Sequence, residues 1–277
     1  MKVFFILLSV LSLGSFKAQA GSSITLNNIT PTQFDQMAKE MAANFNYSTI
    51  TPASSLGKIW GVELGVVGGI TKAPNTLSFV QIADPATSMK ANLPHANIIA
   101  RVGIPYGMTF EAMGFPKKTI SSLTTKSYGL ALQWTVTDLF FTELPFFLAT
   151  KAFYSKTSLN FAQTFTVSGV SVPGTVSLTD SNYGLQAAIS KRFLFLEPYL
   201  VVGYGKTSAS MSVSPGSLTY SLLSSTYTTT NATATSSPKT VFFLLGTDAQ
   251  IAFFSLGAEY QRSYGTSSYS GRVSFRF

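Results

Sequence analysis

Residues 128–136 read YGLALQWTV, a stretch in which large apolar side chains alternate with small or polar ones. A period of two is that of a β-strand, because successive side chains of a strand point to opposite faces. Residues 60–66 and 183–189 repeat the pattern. In all three stretches the second face is rich in Gly, Ala and Gln, whereas the outward face of a soluble β-sandwich is usually charged. The pattern predicts strands with one face in lipid and the other in a narrow, wet interior.

Stretches of this kind number about ten, and their lengths suit the roughly 9–11 residues that a tilted strand needs to cross a bilayer. They are residues 58–70, 97–105, 107–116, 126–138, 145–160, 181–193, 195–208, 239–252, 254–264 and 268–277. The connections after the first, third, fifth and seventh strands are long (71–96, 117–125, 161–180 and 209–238), and those after the even-numbered ones are short. The predicted fold is therefore all-β: a transmembrane antiparallel up-and-down β-barrel of about ten strands (8–12), with both of its ends in the periplasm.

The composition excludes several other classes of protein. Of 277 residues, 11% are charged, against about 25% in a typical soluble domain, which argues against an ordinary cytosolic enzyme. After the first sixteen residues no run of 18 apolar residues occurs, which argues against a helical membrane protein. The chain has no Cys, so it can carry neither a lipoprotein anchor nor a disulfide.

The first twenty residues are typical of a secretory signal peptide. Lys2 supplies the positive charge, residues 3–16 the apolar region, and Ala18-Gln19-Ala20 a small-residue cleavage motif. We expect cleavage after Ala20 and export of the rest. The alternative is an N-terminal transmembrane anchor, for which the apolar run is short.

The C-terminal residues form the most specific pattern in the chain. One face of the last strand carries Tyr269, Val273, Phe275 and Phe277. A final strand of this kind, ending in Phe, resembles the insertion signal of bacterial outer-membrane β-barrel proteins. The resemblance implies an outer-membrane location, with the barrel assembly machinery and outer-membrane lipid as partners. The alternative is an ordinary edge strand that ends in Phe.

Charged residues on the inward face are few and of both signs. A Lys or Arg facing lipid near the bilayer midplane would cost about 2–4 kcal/mol, so these charges are expected to face the lumen. Two interpretations stay open: a mutually neutralising network that plugs the lumen, or the lining of a selective polar pathway. The residues are Glu63, Arg101, Glu111, Lys151, Arg192, Asp248, Glu259, Arg272 and Arg276. In the strand 195–208 either face could meet lipid, and Glu197 is assigned to neither.

A helix of about fifteen residues precedes the barrel. Thr30 is its predicted N-cap, Pro31 its first residue, and Gln33 completes a capping box. Its apolar stripe includes Phe34, Met37, Met41 and Phe45. The helix could plug the lumen, lie under the barrel mouth or bind a periplasmic partner. We therefore divide the mature chain into a segment 21–57 and a barrel 58–277. This arrangement is similar, in architecture only, to the hatch of the long-chain fatty-acid transporter family, which passes hydrophobic molecules into the outer leaflet.

Nine basic residues fall in or beside the predicted extracellular loops, a position that suits the phosphates of lipopolysaccharide. They are Lys72, Lys90, Lys117, Lys118, Lys126, Lys156, Lys206, Lys239 and Arg262. Simple solvation of the loops is the alternative. No basic stripe points to nucleic acid. The single His, His95, is predicted to lie in a loop, and no hydrolase motif accompanies it, so we expect no enzymatic activity, metal or cofactor.

Two functions remain open on the sequence alone. The first is passive transport, or a pore for small and perhaps hydrophobic solutes. The second is a structural or interaction barrel whose lumen is plugged and whose extracellular loops contact lipopolysaccharide or other partners. The sequence does not indicate an oligomeric state.

Overall fold

A computed structural model describes residues 31–57, 60–77, 91–120, 123–141, 143–167, 170–215, 219–222, 225–228 and 232–277. The predicted signal peptide, the cleavage site and the Thr30 cap lie outside these residues. Helix α1 spans Pro31–Asn44 and helix α2 spans Thr137–Phe140. No helix in the described part of the chain combines the length and hydropathy that crossing a bilayer requires.

Thirteen strands follow one another in the described chain. They are β1 Val62–Lys72, β2 Asn92–Ile104, β3 Met108–Ile120, β4 Leu123–Thr135, β5 Phe147–Val167, β6 Val170–Ser190, β7 Leu196–Pro215, β8 Thr219–Leu222, β9 Ser225–Thr228, β10 Ala232–Ser236, β11 Lys239–Ile251, β12 Phe254–Ser263 and β13 Thr266–Arg276.

Ten of these strands close into an antiparallel barrel. Strands β1 to β7 pair in sequence order, β7 then pairs with β11, and β11, β12 and β13 follow. The ring is closed by β13 and β1, in a register that sets Val66 opposite Val273. Strand β10 adds to the side of β7, and β8 and β9 form a separate hairpin. The predicted ten-stranded barrel is confirmed.

The two ends of the barrel differ. At the end where β1 begins and β13 stops, here called the terminal end, three connections are short turns. Their tips, Tyr106, Leu194 and Ala252, have positive φ angles of 67°, 52° and 54°, as tight reversals require. The opposite end, here called the loop end, carries the connections 73–91 and 216–238.

Each barrel strand turns apolar side chains outward. Among those that are exposed are Leu64, Ile98, Phe110, Leu132, Tyr154, Leu185, Val202, Leu245, Leu256 and Phe275, one from each strand of the ring. This apolar belt has no protein partner in the barrel. In lipid these side chains need no protein partner. Because the ring of strands is closed, every strand in the belt has its backbone N–H and C=O groups paired without water.

Three strands are much longer than predicted. β5 and β6 have 21 residues and β7 has 20, whereas β4 has 13. β4 ends opposite Phe161 at the loop end, so the six residues 162–167 of β5 carry the sheet roughly 20 Å farther along the strand direction. The expectation that 161–180 and 209–238 are loops was therefore wrong for most of their length. Outside lipid the outward face need not be apolar, and residues there alternate in the opposite sense, with Ser177 and Ser210 outward and Leu178 and Met211 buried.

Helix α1 lies across the mouth of the barrel at the loop end. It contacts β1, β2 and β13 on one side and β6, β7 and β10 on the other. The carboxylate of Glu40 accepts hydrogen bonds from the backbone N–H groups of Asn75 and Thr76, just beyond the loop end of β1. Residues 45–57 then run through the lumen to the terminal end, where Ser55 Oγ donates to Asp138 Oδ2 at 2.5 Å. We call residues 45–57 the threaded segment, and residues 31–57 the plug.

Candidate functional site

Charged side chains from five strands meet in the lumen. Glu63 on β1, Arg101 on β2, Glu111 on β3, Lys151 on β5 and Asp248 on β11 are each at most 4% exposed. They point inward because each lies on the face opposite the apolar belt. At this depth a charge is tolerated only when it is paired and hydrogen-bonded.

Seven ion pairs join these five residues, together with Arg272 and Arg276, into one connected network. Arg101 bridges Glu63 at 2.7 Å and Glu111 at 2.9 Å. Both Arg272 and Arg276 of β13 reach Glu63 at 3.0 Å. We call this set the ion network. The structure brings together seven of the nine lumen charges named from the sequence.

The other two lumen charges lie apart from the network. Glu259 is buried and accepts hydrogen bonds from Ser48 Oγ at 2.6 Å and Tyr199 OH at 2.8 Å. Arg192 lies at the terminal end with 45% of its side chain exposed, and it pairs with Glu197 at 2.8 Å.

Glu197 was left unassigned by the sequence, and the structure places it inside. It is 4% exposed and accepts a hydrogen bond from Ser190 Oγ at 2.6 Å. On the same strand Tyr199 is buried, whereas Leu200 and Val202 face outward. The ambiguity arose because both faces of β7 carry large apolar side chains.

The threaded segment is hydrogen-bonded directly to the ion network. Thr49 Oγ1 donates to Glu111 Oε2 at 2.9 Å, and Lys151 Nζ donates to Thr51 Oγ1 at 2.8 Å. Arg272 donates to the backbone carbonyl of Thr49 at 3.4 Å. The carboxylates and bases of the barrel wall are thus satisfied partly by the chain that fills the lumen.

Nearer the terminal end the barrel wall holds the backbone of the segment. Thr135 Oγ1 donates to the carbonyl of Ala53 at 2.7 Å, and Gln133 Nε2 donates to that of Pro52 at 3.2 Å. Ser190 Oγ accepts from the N–H of Ala53 at 3.1 Å. A chain in irregular conformation can be buried only when its backbone groups find such partners.

Aromatic rings fill the space beside the segment. Tyr47 stacks on Phe153 with 5.8 Å between ring centroids, and Phe153 meets Phe242 edge-on at 6.1 Å. Gly203 leaves room for this packing, because a Cβ at residue 203 would lie 2.2 Å from the Phe242 ring. A space of only about 10 Å³ remains beside the segment, bounded by residues such as Tyr47, Thr51 and Lys151.

Helix α1 buries its apolar stripe against the projecting sheet. Phe34, Met37 and Met41 pack with Leu178 of β6 and Met211 of β7, and Phe45 joins the cluster at its margin. On the opposite face Lys39 and Ser236 hydrogen-bond to Asp35 and lower the pKa of that carboxyl group, which lies beyond the apolar belt. The helix therefore covers the lumen at its loop end, and residues 45–57 are the part of the plug that runs within the lumen.

His95 lies in strand β2 and not in a loop, which corrects the sequence-based expectation. Its Nε2 lies 3.0 Å from Ser270 Oγ on β13, and its Nδ1 lies 3.1 Å from Asn44 Oδ1 at the end of α1. β2 begins at Asn92, five residues earlier than predicted, because the in–out alternation continues through Leu93 and His95 although the outward residues Asn92, Pro94 and Ala96 include no large apolar side chain.

A cavity of about 240 Å³ opens at the terminal end, lined by residues such as Arg192, Glu197, Asp248 and Gln250. It ends at the ion network, since Arg276 donates to both Gln250 and Asp248. The cavity is therefore a vestibule and not a channel.

On the outer surface, tyrosines mark the upper limit of the apolar belt. Tyr128, Tyr154, Tyr183, Tyr204 and Tyr269 are each 40–50% exposed near the loop end. Beyond them come the basic residues named from the sequence, all at least partly exposed except Lys90, which lies outside the described residues. They are Lys72, Lys117, Lys118, Lys126, Lys156, Lys206, Lys239 and Arg262. The tyrosines and these cations follow the order of a membrane interface.

The residues of the predicted assembly signal lie on the outward face of β13. Tyr269, Phe275 and Phe277 are 47%, 37% and 78% exposed, and Val273 is half-buried between them. Phe275 contacts Phe254 of the neighbouring strand, with 4.7 Å between ring centroids. The pattern is displayed at the surface, where another protein could read it.

Sequence reasoning missed the threaded segment. Residues 45–57 have no periodicity, because each side chain meets a different part of the barrel wall. The only available signal was composition: three of the residues 48–55 are Ser and two are Thr, and their hydroxyl groups are suited to bonding buried carboxylates and backbone.

Several solved structures are similar to this chain, and they are outer-membrane β-barrels, the class that the sequence resembles. Ail, the attachment invasion locus protein of Yersinia pestis, is 10% identical with a TM-score of 0.31, over 78% of this chain and 97% of that chain. The translocator domain of the autotransporter NalP from Neisseria meningitidis is 9% identical with a TM-score of 0.38, over 89% and 94%. A Pseudomonas aeruginosa FadL homologue is 8% identical with a TM-score of 0.29, over 88% and 98%.

Similarities at this level say nothing about function. A comparison with curated protein sequences finds no match. One family model does match, that of DUF6588, over residues 84–277. This match covers well over half of the chain and includes nine of the ten strands of the ring. The protein therefore belongs to DUF6588, a family of unknown function.

Proposed function

We propose that this protein is a plugged outer-membrane barrel that acts by interaction at its loop end and does not conduct solutes. The observation that carries the proposal is the filled lumen. The threaded segment is hydrogen-bonded to the ion network above and to Ser190 and Glu197 below, so the contents of the barrel form one bonded unit with its wall.

The belt and the C-terminal pattern support the outer-membrane location. A closed antiparallel barrel with apolar residues on all ten strands is stable in hydrocarbon, and the loop end then faces outward. On this assignment the long sheet of β5, β6 and β7 projects from the cell, with lipopolysaccharide or another outer partner within its reach. The barrel assembly machinery is the partner that would read Phe277.

The ion network favours plugging over selective passage. A conducting pathway needs charges that face water, whereas Glu63, Glu111 and Arg272 have no more than 2% of their surface exposed. Each of these charges is paired within the network at 2.5–3.0 Å: Glu111 with Arg101, and Arg272 with both Glu63 and Asp248. Transport of a small or hydrophobic solute would require the threaded segment to move.

Conductance in planar bilayers tests the proposal directly. We expect no channels from the full chain, and channels from a variant that lacks residues 31–57, provided that it retains heat-modifiable gel mobility. Steady conductance or liposome swelling with the full chain would overturn the proposal in favour of transport.

Because deletion of the plug could prevent folding, a second measurement uses single cysteines in the Cys-free chain. Ala53→Cys lies in the lumen at 0% exposure, and Ser208→Cys on the exposed outer face of β7 is its matched control. We expect a membrane-impermeant thiol reagent to label the control and not Ala53→Cys. Equal labelling of both cysteines would show an open lumen.

A further inference from the structure

We propose that four lysines at the foot of the projecting sheet form a binding site for the phosphates of lipopolysaccharide. They are Lys126 on β4, Lys156 on β5, Lys206 on β7 and Lys239 on β11, and we call them the lysine cluster. The inference rests on the proposed outer-membrane location and identifies the ligand of one particular face.

The strand register sets these lysines on one surface. Lys206 lies directly opposite Lys239, and Lys156 lies opposite Tyr128, two residues from Lys126. All four are at least partly exposed and share the outward face with the apolar belt. With neighbouring strands about 4.8 Å apart, Lys156 and Lys206 are separated by roughly 12 Å, a distance that one phosphorylated headgroup can span.

The cluster has no anionic partner within the described part of the chain. None of its lysines forms an ion pair with a carboxylate there, whereas Lys151 in the lumen does. The described acidic residues lie on α1, in the barrel interior or at the terminal end; they are Asp35, Glu40, Glu63, Glu111, Asp138, Glu143, Asp180, Glu197, Asp248 and Glu259. The outer face near the loop end thus carries charge of one sign.

Such an arrangement is costly for an isolated barrel. Like charges directly opposite on neighbouring strands repel each other, as do Lys206 and Lys239. Ordinary protein surfaces intersperse both signs. A ring of cations at one level is compensated when anions lie at the same level, and phosphates at a membrane surface supply them.

The tyrosines indicate the height of these cations relative to the membrane. Lys126 Nζ lies 6.0 Å from the ring centroid of Tyr128, and Lys206 Nζ lies 6.0 Å from that of Tyr183. Tyrosine rings sit where hydrocarbon meets headgroups, so the ammonium groups lie just above the acyl chains. A phosphate attached close to acyl chains meets this requirement.

Above the cluster, β5, β6 and β7 offer uncharged polar groups, nearly all of them hydroxyls. The outward residues there are Ser158 and Asn160 on β5, Thr175, Ser177, Thr179 and Ser181 on β6, and Ser208, Ser210, Ser212 and Ser214 on β7. Each hydroxyl can donate and accept hydrogen bonds. Outward from the membrane, the face therefore presents apolar side chains, tyrosines, cations and then hydroxyls. Lipopolysaccharide presents acyl chains, phosphates and sugars in the same order, which is why we choose it over an anionic phospholipid.

The test compares two variants of equal charge. The cluster variant carries Lys126→Gln, Lys156→Gln, Lys206→Gln and Lys239→Gln. The control carries Lys72→Gln, Lys117→Gln, Lys118→Gln and Arg262→Gln, which remove the same charge from β1, β3 and β12, on the arc that completes the ring from β11 round to β4. Binding to purified lipopolysaccharide, to the same material after enzymatic dephosphorylation and to phosphatidylglycerol is measured in detergent at fixed salt.

We expect the full chain to bind lipopolysaccharide, and the cluster variant to bind it at least tenfold more weakly, while the control stays within about threefold. Dephosphorylation should weaken binding by the full chain as much as the cluster substitutions do. An equal loss in the control variant would show diffuse attraction and overturn the site, and so would equal binding of phosphatidylglycerol. Heat-modifiable mobility of all three proteins keeps a failure of this inference distinct from a failure of the barrel assignment.

Discussion

His95 and Ser270 are joined across an intervening strand, with Nε2 and Oγ 3.0 Å apart on either side of Gly69. β1 separates the two strands that carry them, and Gly69 is the residue of β1 that faces both in the register. The bond exists because residue 69 has no side chain: a Cβ there would lie 2.6 Å from each of the two bonding atoms.

Gly69→Ala should therefore destabilise the barrel by about 1–3 kcal/mol, since the new methyl group displaces His95 and leaves buried polar atoms without their partners. Urea unfolding of the protein in lipid vesicles measures the change. The neighbouring Gly68→Ala is the control, because its Cβ would point outward and meet its nearest atom at 3.7 Å. If both variants unfold at the same urea concentration, the bridge contributes nothing.

Glu63→Gln should be more damaging. Glu63 pairs with Arg101, Arg272 and Arg276 at 2.7–3.0 Å, and the amide keeps the volume but removes the charge that these three guanidinium groups share. Breaking a buried pair of this kind costs about 3–5 kcal/mol, because it leaves uncompensated charge inside. The exposed Glu143→Gln should change stability by less than about 0.5 kcal/mol. Comparable losses in the two variants would argue that the network is not structural.

Asp180 should make stability depend on pH. It lies in the part of β6 beyond Tyr183, above the apolar belt, and burial raises the pKa of its carboxyl group to about 7, although Asn182 donates a hydrogen bond that lowers it. The ordinary pKa is 3.8, so the unfolded chain ionises first and the folded barrel loses stability as the pH rises from about 4 through 7.

Asp180→Asn removes this loss. The variant should be more stable than the natural protein at pH 8, by on the order of 2 kcal/mol, and should match it at pH 4. Urea midpoints at the two pH values provide the measurement. A difference that is equal at both pH values would mean that ionisation of Asp180 plays no part.

The last residue should matter for assembly and not for stability. Phe277 is 78% exposed and Phe253 is 53% exposed at the same end of the barrel, so Phe277→Ala and Phe253→Ala remove similar surface. We expect only Phe277→Ala to reduce the amount of heat-modifiable barrel in the outer membrane. Purified and refolded, both variants should unfold like the natural protein. A normal amount of Phe277→Ala in the membrane would reject the assembly signal.

The ring was predictable because lipid imposes a rule on the sequence. Leu130 and Leu132 face outward and Gln133 faces inward for the same reason, and the alternation repeats wherever a strand crosses hydrocarbon. Beyond the tyrosines, toward the loop end, the outward face of a strand no longer has to be apolar. Thr179 and Ser210 alternate with buried Asp180 and Met211, but a polar outer face in water resembles a loop in composition, so the extensions of β5, β6 and β7 were not seen.

The inner charges were named from the sequence, but their partners were not. Inward orientation follows from the position of Arg101 within its strand, whereas its pairing with both Glu63 and Glu111 depends on the register of β1, β2 and β3. Thr49 and Thr51 also bond to these charges, although both residues precede the predicted barrel, 58–277, in the sequence. Their contribution follows from a path through the lumen that no local pattern encodes.

That path has a mechanical consequence. The threaded segment is an extended chain tied to β1 at one end and to α1 at the other, and a helix with its side chains is about 10–12 Å wide. The helix at one end and the paired strand at the other both hinder the threaded segment from sliding out of the barrel. Withdrawal toward the terminal end would require α1 to unwind first, and withdrawal toward the loop end would require the chain to double back, since residue 62 stays paired in the wall. The barrel must therefore close around the threaded segment. The closing step pairs β1 with β13, whose Ser274 lies 211 residues from Glu63, and the segment must already be in the lumen when that pairing forms.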